Sequence, residues 1–307
     1  MRSLPARGLV LLTVVLACGC ALTAKKPPTP AAQLTGADLA QLPKPADERF
    51  FLLLFGSHDA LRRPENTHTW ATLVRVRASD AGPAGGGGGT PGCVDPALDV
   101  HTISWLPTAG KIDPRNDTVE PGRNYELHET LRFVYDSKQS VAVWGPYEVW
   151  HGFAHRFLVQ KQFLDSGAVG YQAVDSRGEA ARLGNGCDCI HAVTDMDPIY
   201  PRGRYPLAFY GKPATANLVR RFMRSPIWID PPATHDGLLP RLGLDAYPLE
   251  KRKYVGRSEE HDPNSAADLD ARAPPLRPAA PPEPKEPTPK TAPGIENKKP
   301  VGPLPKP

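Results

Sequence analysis

Arg49-Phe50-Phe51-Leu52-Leu53-Leu54-Phe55, closed by Gly56-Ser57, is an unbroken apolar run with the length of a strand. Without polar alternation such a strand must be covered on both faces, so this run predicts the middle of a sheet enclosed by other elements. Two β-rich runs follow, Thr67 to Val76 and Asp99 to Leu106, the second stopped by Pro107. Together the three predict one small antiparallel sheet. The connection between the second and third holds Gly85 to Gly89 and Pro91-Gly92. It reads as a flexible insertion, because it lacks the lysine and the directly following helix of a phosphate-binding loop.

The rest of the core reads as helices with brief strands, which places the chain in the α+β class. Leu127, Leu131 and Val134 predict a short helix over Asn124 to Tyr135, and Ser140 to Trp144 predicts a short strand. Val149, Phe153, Phe157 and Leu164 repeat near the helical period, and Ser166-Gly167 ends that run. Ala168 to Val174 is a candidate strand, and a helix following Cys189 ends by Asp197-Pro198. A further helix over Thr215 to Met223 has Thr215 as its expected N-cap. The domain then closes with a Pro-interrupted run to about Tyr254.

The two ends differ from this core. Arg2 and Arg7 precede the apolar stretch Leu9 to Ala17, so residues 1–17 read as a secretory signal too short to span a bilayer. Val15-Leu16-Ala17-Cys18 resembles a bacterial lipobox, which makes Cys18 the expected lipidation site and Cys20 a second candidate. Residues 18–47 carry Lys-Lys-Pro-Pro-Thr-Pro and Pro-Lys-Pro and read as an extended spacer. Residues 48–257 form the expected globular domain. Residues 258–307 are Pro-, Ala-, Glu- and Lys-rich and nearly free of aromatics, a composition that buries too little apolar surface to offset ordering entropy. That tail is expected to be disordered. The chain is therefore expected to be exported and held at the membrane by a lipid anchor.

The formal net charge is +4 over 307 residues, and the positive residues are scattered rather than striped. Nucleic acid is accordingly not an expected partner. Of the five cysteines, four remain if Cys18 is lipidated. Cys93 with Cys187 is a plausible bridge that leaves Cys189 free, whereas a Cys187–Cys189 bridge would be strained.

Chemistry concentrates in Asn185-Gly186-Cys187-Asp188-Cys189-Ile190-His191-Ala192-Val193. A cysteine opening a short apolar helix gains support for its thiolate from the helix N-terminus. Upstream, two strand-like runs each begin with a histidine, His68-Thr69-Trp70-Ala71 and His101-Thr102-Ile103. A thiol with two imidazoles suffices for nucleophilic acyl chemistry if the fold gathers them.

This order resembles the circularly permuted papain-like cysteine hydrolases, and among them the lecithin:retinol acyltransferase type. There a strand resembling His-Trp-Ala carries the first histidine, the next strand the second, and Asn-Cys-x-His-Phe-Val the nucleophile. The resemblance spans roughly Phe50 to Met223 and implies a permuted papain-like fold. It implies Cys189 as nucleophile, His68 as the base that takes its proton, and His101 as the group that orients His68. Three departures stand out: Asp188 replaces the usual asparagine, an extra residue separates Trp70 from His68, and the Gly-rich insertion parts the two histidine strands. A carboxylate beside the cysteine opposes thiolate formation.

Other readings compete for the same residues. His58, after Gly56-Ser57, is a rival base, and His191 is expected to be structural because it lies two residues past Cys189 on a helix. Cys189 could equally be a small buried apolar residue. Cys187, Cys189 and His191 form Cys-x-Cys-x-His, but the spacing is tighter than a zinc knuckle and no second ligand pair follows, so neither a metal nor a cofactor is expected. The expected function is an envelope thiol hydrolase or acyltransferase acting on an amide or ester of cell-wall peptide or lipid. The alternative is a non-catalytic envelope protein of the same fold that binds such fragments.

Overall fold

The structure is a computed structural model that describes residues 29–77, 94–196, 210–225, 227–231 and 233–254. The signal, Cys18, Cys20, the Gly-rich insertion, Cys93 and the C-terminal tail lie outside the described residues. Among the described residues no helix is long and apolar enough to cross a membrane.

The apolar run forms β1 (Glu48–His58), whose inner eight positions are buried without alternation. It pairs antiparallel along its whole length with β2 (Thr67–Arg77), and β2 pairs antiparallel with β3 (Asp99–Ile103). On the other side of β1 lies β6 (Ser140–Val149), also antiparallel. It runs five residues beyond the expected strand, because its ladder with β1 shifts register between Leu52 and Leu54 and so passes Gly145-Pro146. The sheet is completed by β9 (Leu249–Arg252), giving the order β3-β2-β1-β6-β9. The expected all-antiparallel sheet is corrected here, since β9 runs parallel to β6. Parallel pairing needs a long crossover, and the chain between Val149 and Leu249 supplies it.

Helices cover both faces. One face buries Leu52, Leu54, Ala71 and Leu73 beneath α4 (His151–Asp165), α6 (Cys189–Thr194) and α7 (Gly211–Phe222), through Phe153, Phe157, Val193 and Leu218. The other buries Phe51, Leu53, Phe55 and Trp70 beneath α3 (Leu127–Asp136) and α8 (Leu238–Arg241), through Leu131 and Leu239. The protein is thus α+β, with a five-stranded sheet between helices. Short pairs flank it: β4 (Trp105–Pro107) with β5 (Gly122–Asn124), and β7 (Gly170–Tyr171) with β8 (Gly186–Cys187). The expected strand over Ala168 to Val174 shrinks to β7, after which the chain turns into α5 (Gly178–Leu183).

Two boundaries differ from expectation. Among the described residues, packing reaches back to Thr29, inside the stretch read as an extended spacer. There α1 (Pro30–Gln33) and α2 (Gly36–Ala40) lie on α4, with Ala31 and Leu39 buried and the Arg156 guanidinium donating to the Leu34 carbonyl. Proline at the first turn of α1 fits a helix start, which the spacer reading overlooked. Helix α7 starts four residues before its expected cap. Thr215 lies inside it, its hydroxyl 3.1 Å from both the Gly211 and Phe55 carbonyls. Gly211, at φ 60°, makes that start fit, since a Cβ there would come within 2.2 Å of the Ser57 carbonyl oxygen.

Candidate functional site

The region around Cys189 is assembled from three pieces of chain. β8 ends in Cys187, Asp188 caps α6 by accepting from the His191 N–H at 2.7 Å, and Cys189 occupies the first turn. The helix rests on β2, burying Ile190, Ala192 and Val193. Cys189 is half-buried and carries a free thiol. It lines a narrow cleft together with Thr67, Ile112, Tyr171, Tyr210 and Gly211, and no described lining residue is a histidine. The strained Cys187–Cys189 bridge does not form, and the Cys187 thiol lies 3.3 Å from the Asp188 carbonyl as its donor.

The electrostatics here disfavour a thiolate. Burial, followed by the neighbouring Asp188 carboxylate, pushes the Cys189 thiol up to about 12, against the smaller pull of backbone N–H groups of Thr69, Cys189 and Ile190. The helix terminus thus acts as expected, but desolvation and the adjacent charge outweigh it.

The histidines are dispersed. Consecutive strand residues point to opposite faces, so Thr69, Ala71 and Leu73 of β2 face α6 and α7, whereas His68, Trp70 and Val74 face α3 and α8. His68 is fully buried, its ring 5.3 Å from that of Trp70 and its Nε2 2.9 Å from the Ser104 hydroxyl. Burial pushes its pKa down to about 3, which keeps it neutral. His101 is paired with Leu73, four residues along β2 from Thr69, or about 13 Å at the strand rise. Its Nε2 lies 3.0 Å from Asp99 Oδ1 at the outer edge of the sheet. Among the described residues no hydrogen bond joins Cys189 to His58, His68 or His101.

His58 shares the α7 face with Cys189. It stands opposite Thr67 in the β1–β2 ladder and packs against Gly211, both of which line the cleft. Its Nδ1 lies 2.9 Å from the Asp59 carbonyl, and burial together with the charge of Lys212 lowers its pKa.

The strongest polar cluster was not expected from the sequence as a unit. His191 Nδ1 lies 2.8 Å from Asp175 Oδ1 and 3.2 Å from Asp188 Oδ2, and all three residues are buried. Burial works against a charged imidazole, but the two carboxylates outweigh it and hold His191 protonated well above the ordinary histidine range. These contacts brace α6 against the loop after β7. Asp175 carried no signal because it is remote in sequence and sits in a polar loop.

A comparison of the chain with protein-family models, with curated proteins and with solved structures finds no match.

Proposed function

We propose that this chain is a non-catalytic envelope module, which binds cell-wall or lipid fragments on a scaffold laid out like a permuted cysteine hydrolase. The observation that carries the reading is the identity of the β2 residue facing Cys189. In the His-Trp-Ala pattern the histidine directly precedes the tryptophan, and the residue directly before Trp70 is Thr69. Its side chain is committed to α7, 3.0 Å from the Thr215 hydroxyl, and it offers the sulfur only a backbone N–H. A threonine cannot take the thiol proton, so the base that the resemblance expects at this place is missing. His58, on the same face, makes no hydrogen bond to Cys189 among the described residues. Export and lipidation at Cys18 are part of the proposal and rest on the sequence of residues 1–20 alone.

The test is acyl trapping. The protein is incubated with wall peptides and with phospholipid vesicles, quenched in acid and weighed intact, while binding is followed by co-sedimentation. The reading expects co-sedimentation that survives Cys189→Ser and no acyl adduct. An adduct on Cys189 that vanishes in Cys189→Ser would establish the hydrolase or acyltransferase instead.

A further inference from the structure

The buried cluster of Asp175, Asp188 and His191 stands apart from the question of catalysis. Each residue is more than nine-tenths buried, and one ligand atom from each lies within 4.8 Å of the others. As a hydrogen-bonded group it is incomplete. Nδ1 carries a single proton, the Asp175 oxygen is the nearer acceptor, and Asp188 Oδ2 is buried with no hydrogen bond to satisfy it.

We infer that Asp175 Oδ1, Asp188 Oδ2 and His191 Nδ1 form a binding site for a divalent transition-metal ion, with zinc the best fit. The ion would take the place of the proton between Nδ1 and the carboxylates. With a neutral imidazole and two carboxylates the site's charge is then zero, and the unsatisfied oxygen gains a ligand bond. The spacing is near that of a metal site: metal–ligand bonds of about 2.0–2.2 Å in a tetrahedron set ligand atoms about 3.3–3.6 Å apart. The observed 2.8 Å would open by about half an ångström and the 3.2 Å by less, and the three ligand atoms already lie within 4.8 Å of one another. Imidazole with carboxylate oxygens suits zinc, whereas magnesium keeps most of its water and prefers all-oxygen octahedra. Asp188 also lines the cleft beside Cys189, which gives the ion a way in. Bound there, it would tie the loop carrying Asp175 to the start of α6.

The experiment uses the full chain stripped with EDTA, titrated with zinc against a chromophoric chelator and, separately, loaded with cobalt(II). Expected are one zinc per chain, a rise in melting temperature with zinc but not magnesium, and a cobalt spectrum without a thiolate charge-transfer band. Asp175→Asn and Asp188→Ser, the second keeping a helix-capping oxygen, should each weaken binding at least about tenfold, while Cys189→Ser should leave it unchanged. Absence of stoichiometric zinc binding by the unsubstituted chain would overturn the site. So would a thiolate band with binding lost in Cys189→Ser, which would assign the metal to Cys-x-Cys-x-His.

Discussion

The backbone N–H of Thr69, near the start of β2, faces the sulfur of Cys189 at the start of α6. Strand alternation then sends the His68 imidazole to the opposite side of the sheet, where it packs beside Trp70. One residue of offset between a histidine and a tryptophan thus decides whether a thiol has a base. A one-residue change of position along a strand moves a side chain to the other face, and nothing short of re-pairing the strand can undo it.

The burial of His68 makes stability depend on pH in a defined direction. Its folded pKa of about 3 lies below the ordinary histidine value, so the unfolded chain takes up a proton first as pH falls. Stability should therefore be full above about pH 6.5 and decline as pH drops toward 3. The loss between pH 7 and pH 5 is about 2 kcal/mol from this group. Urea unfolding of the unsubstituted chain and of His68→Gln at several pH values checks it, since the variant should lose that part of the slope.

Gly211 should be intolerant of a side chain. Its φ of 60° disfavours other residues, and a Cβ there would meet the Ser57 carbonyl oxygen at 2.2 Å. Gly211→Ala is expected to cost about 2 kcal/mol or more, because α7 must move off β1. A denaturation midpoint equal to that of the unsubstituted chain would show that the helix start yields freely.

The segment before β1 should contribute to stability. Leu39 and Ala31 are buried against the domain, and Arg156 reaches back to the Leu34 carbonyl. Leu39→Ala should cost about 2 kcal/mol, the low end of core truncations, since α2 sits at the periphery. A chain beginning at residue 44 should likewise melt at lower temperature than one beginning at residue 29. Equal melting temperatures would restore the free-spacer reading.

The sheet was legible because β1 announces itself: an apolar run buried on two sides has few alternatives. The helix from His151 followed from the spacing of Phe153, Phe157 and Leu164, although Val149, read as the first position of that repeat, ends β6. The short helix opened by Cys189 was also expected. What the sequence hid were features set by partners remote along the chain. Thr215 looked like a cap, yet in the fold its hydroxyl reaches the Phe55 carbonyl and Thr69, a use visible only once α7 lies on β1. Asp175 and His191 meet only because β7 and β8 pair side by side and bring the following loops together. The parallel β9 carries Leu249-Glu250-Lys251-Arg252, too polar and short to read as a strand. For the site, the extra residue between His68 and Trp70 was visible in the sequence, but only the alternation of a strand with known faces turns it into the loss of a base.

The most direct measurement is the rate of iodoacetamide labelling at Cys189, followed by peptide mass spectrometry in the native protein at neutral pH, with and without His68→Gln. The account predicts slow labelling at the same rate in both proteins. A fast reaction that slows by about 100-fold or more in the variant, the range of a working general base, would place an imidazole beside the sulfur and contradict it.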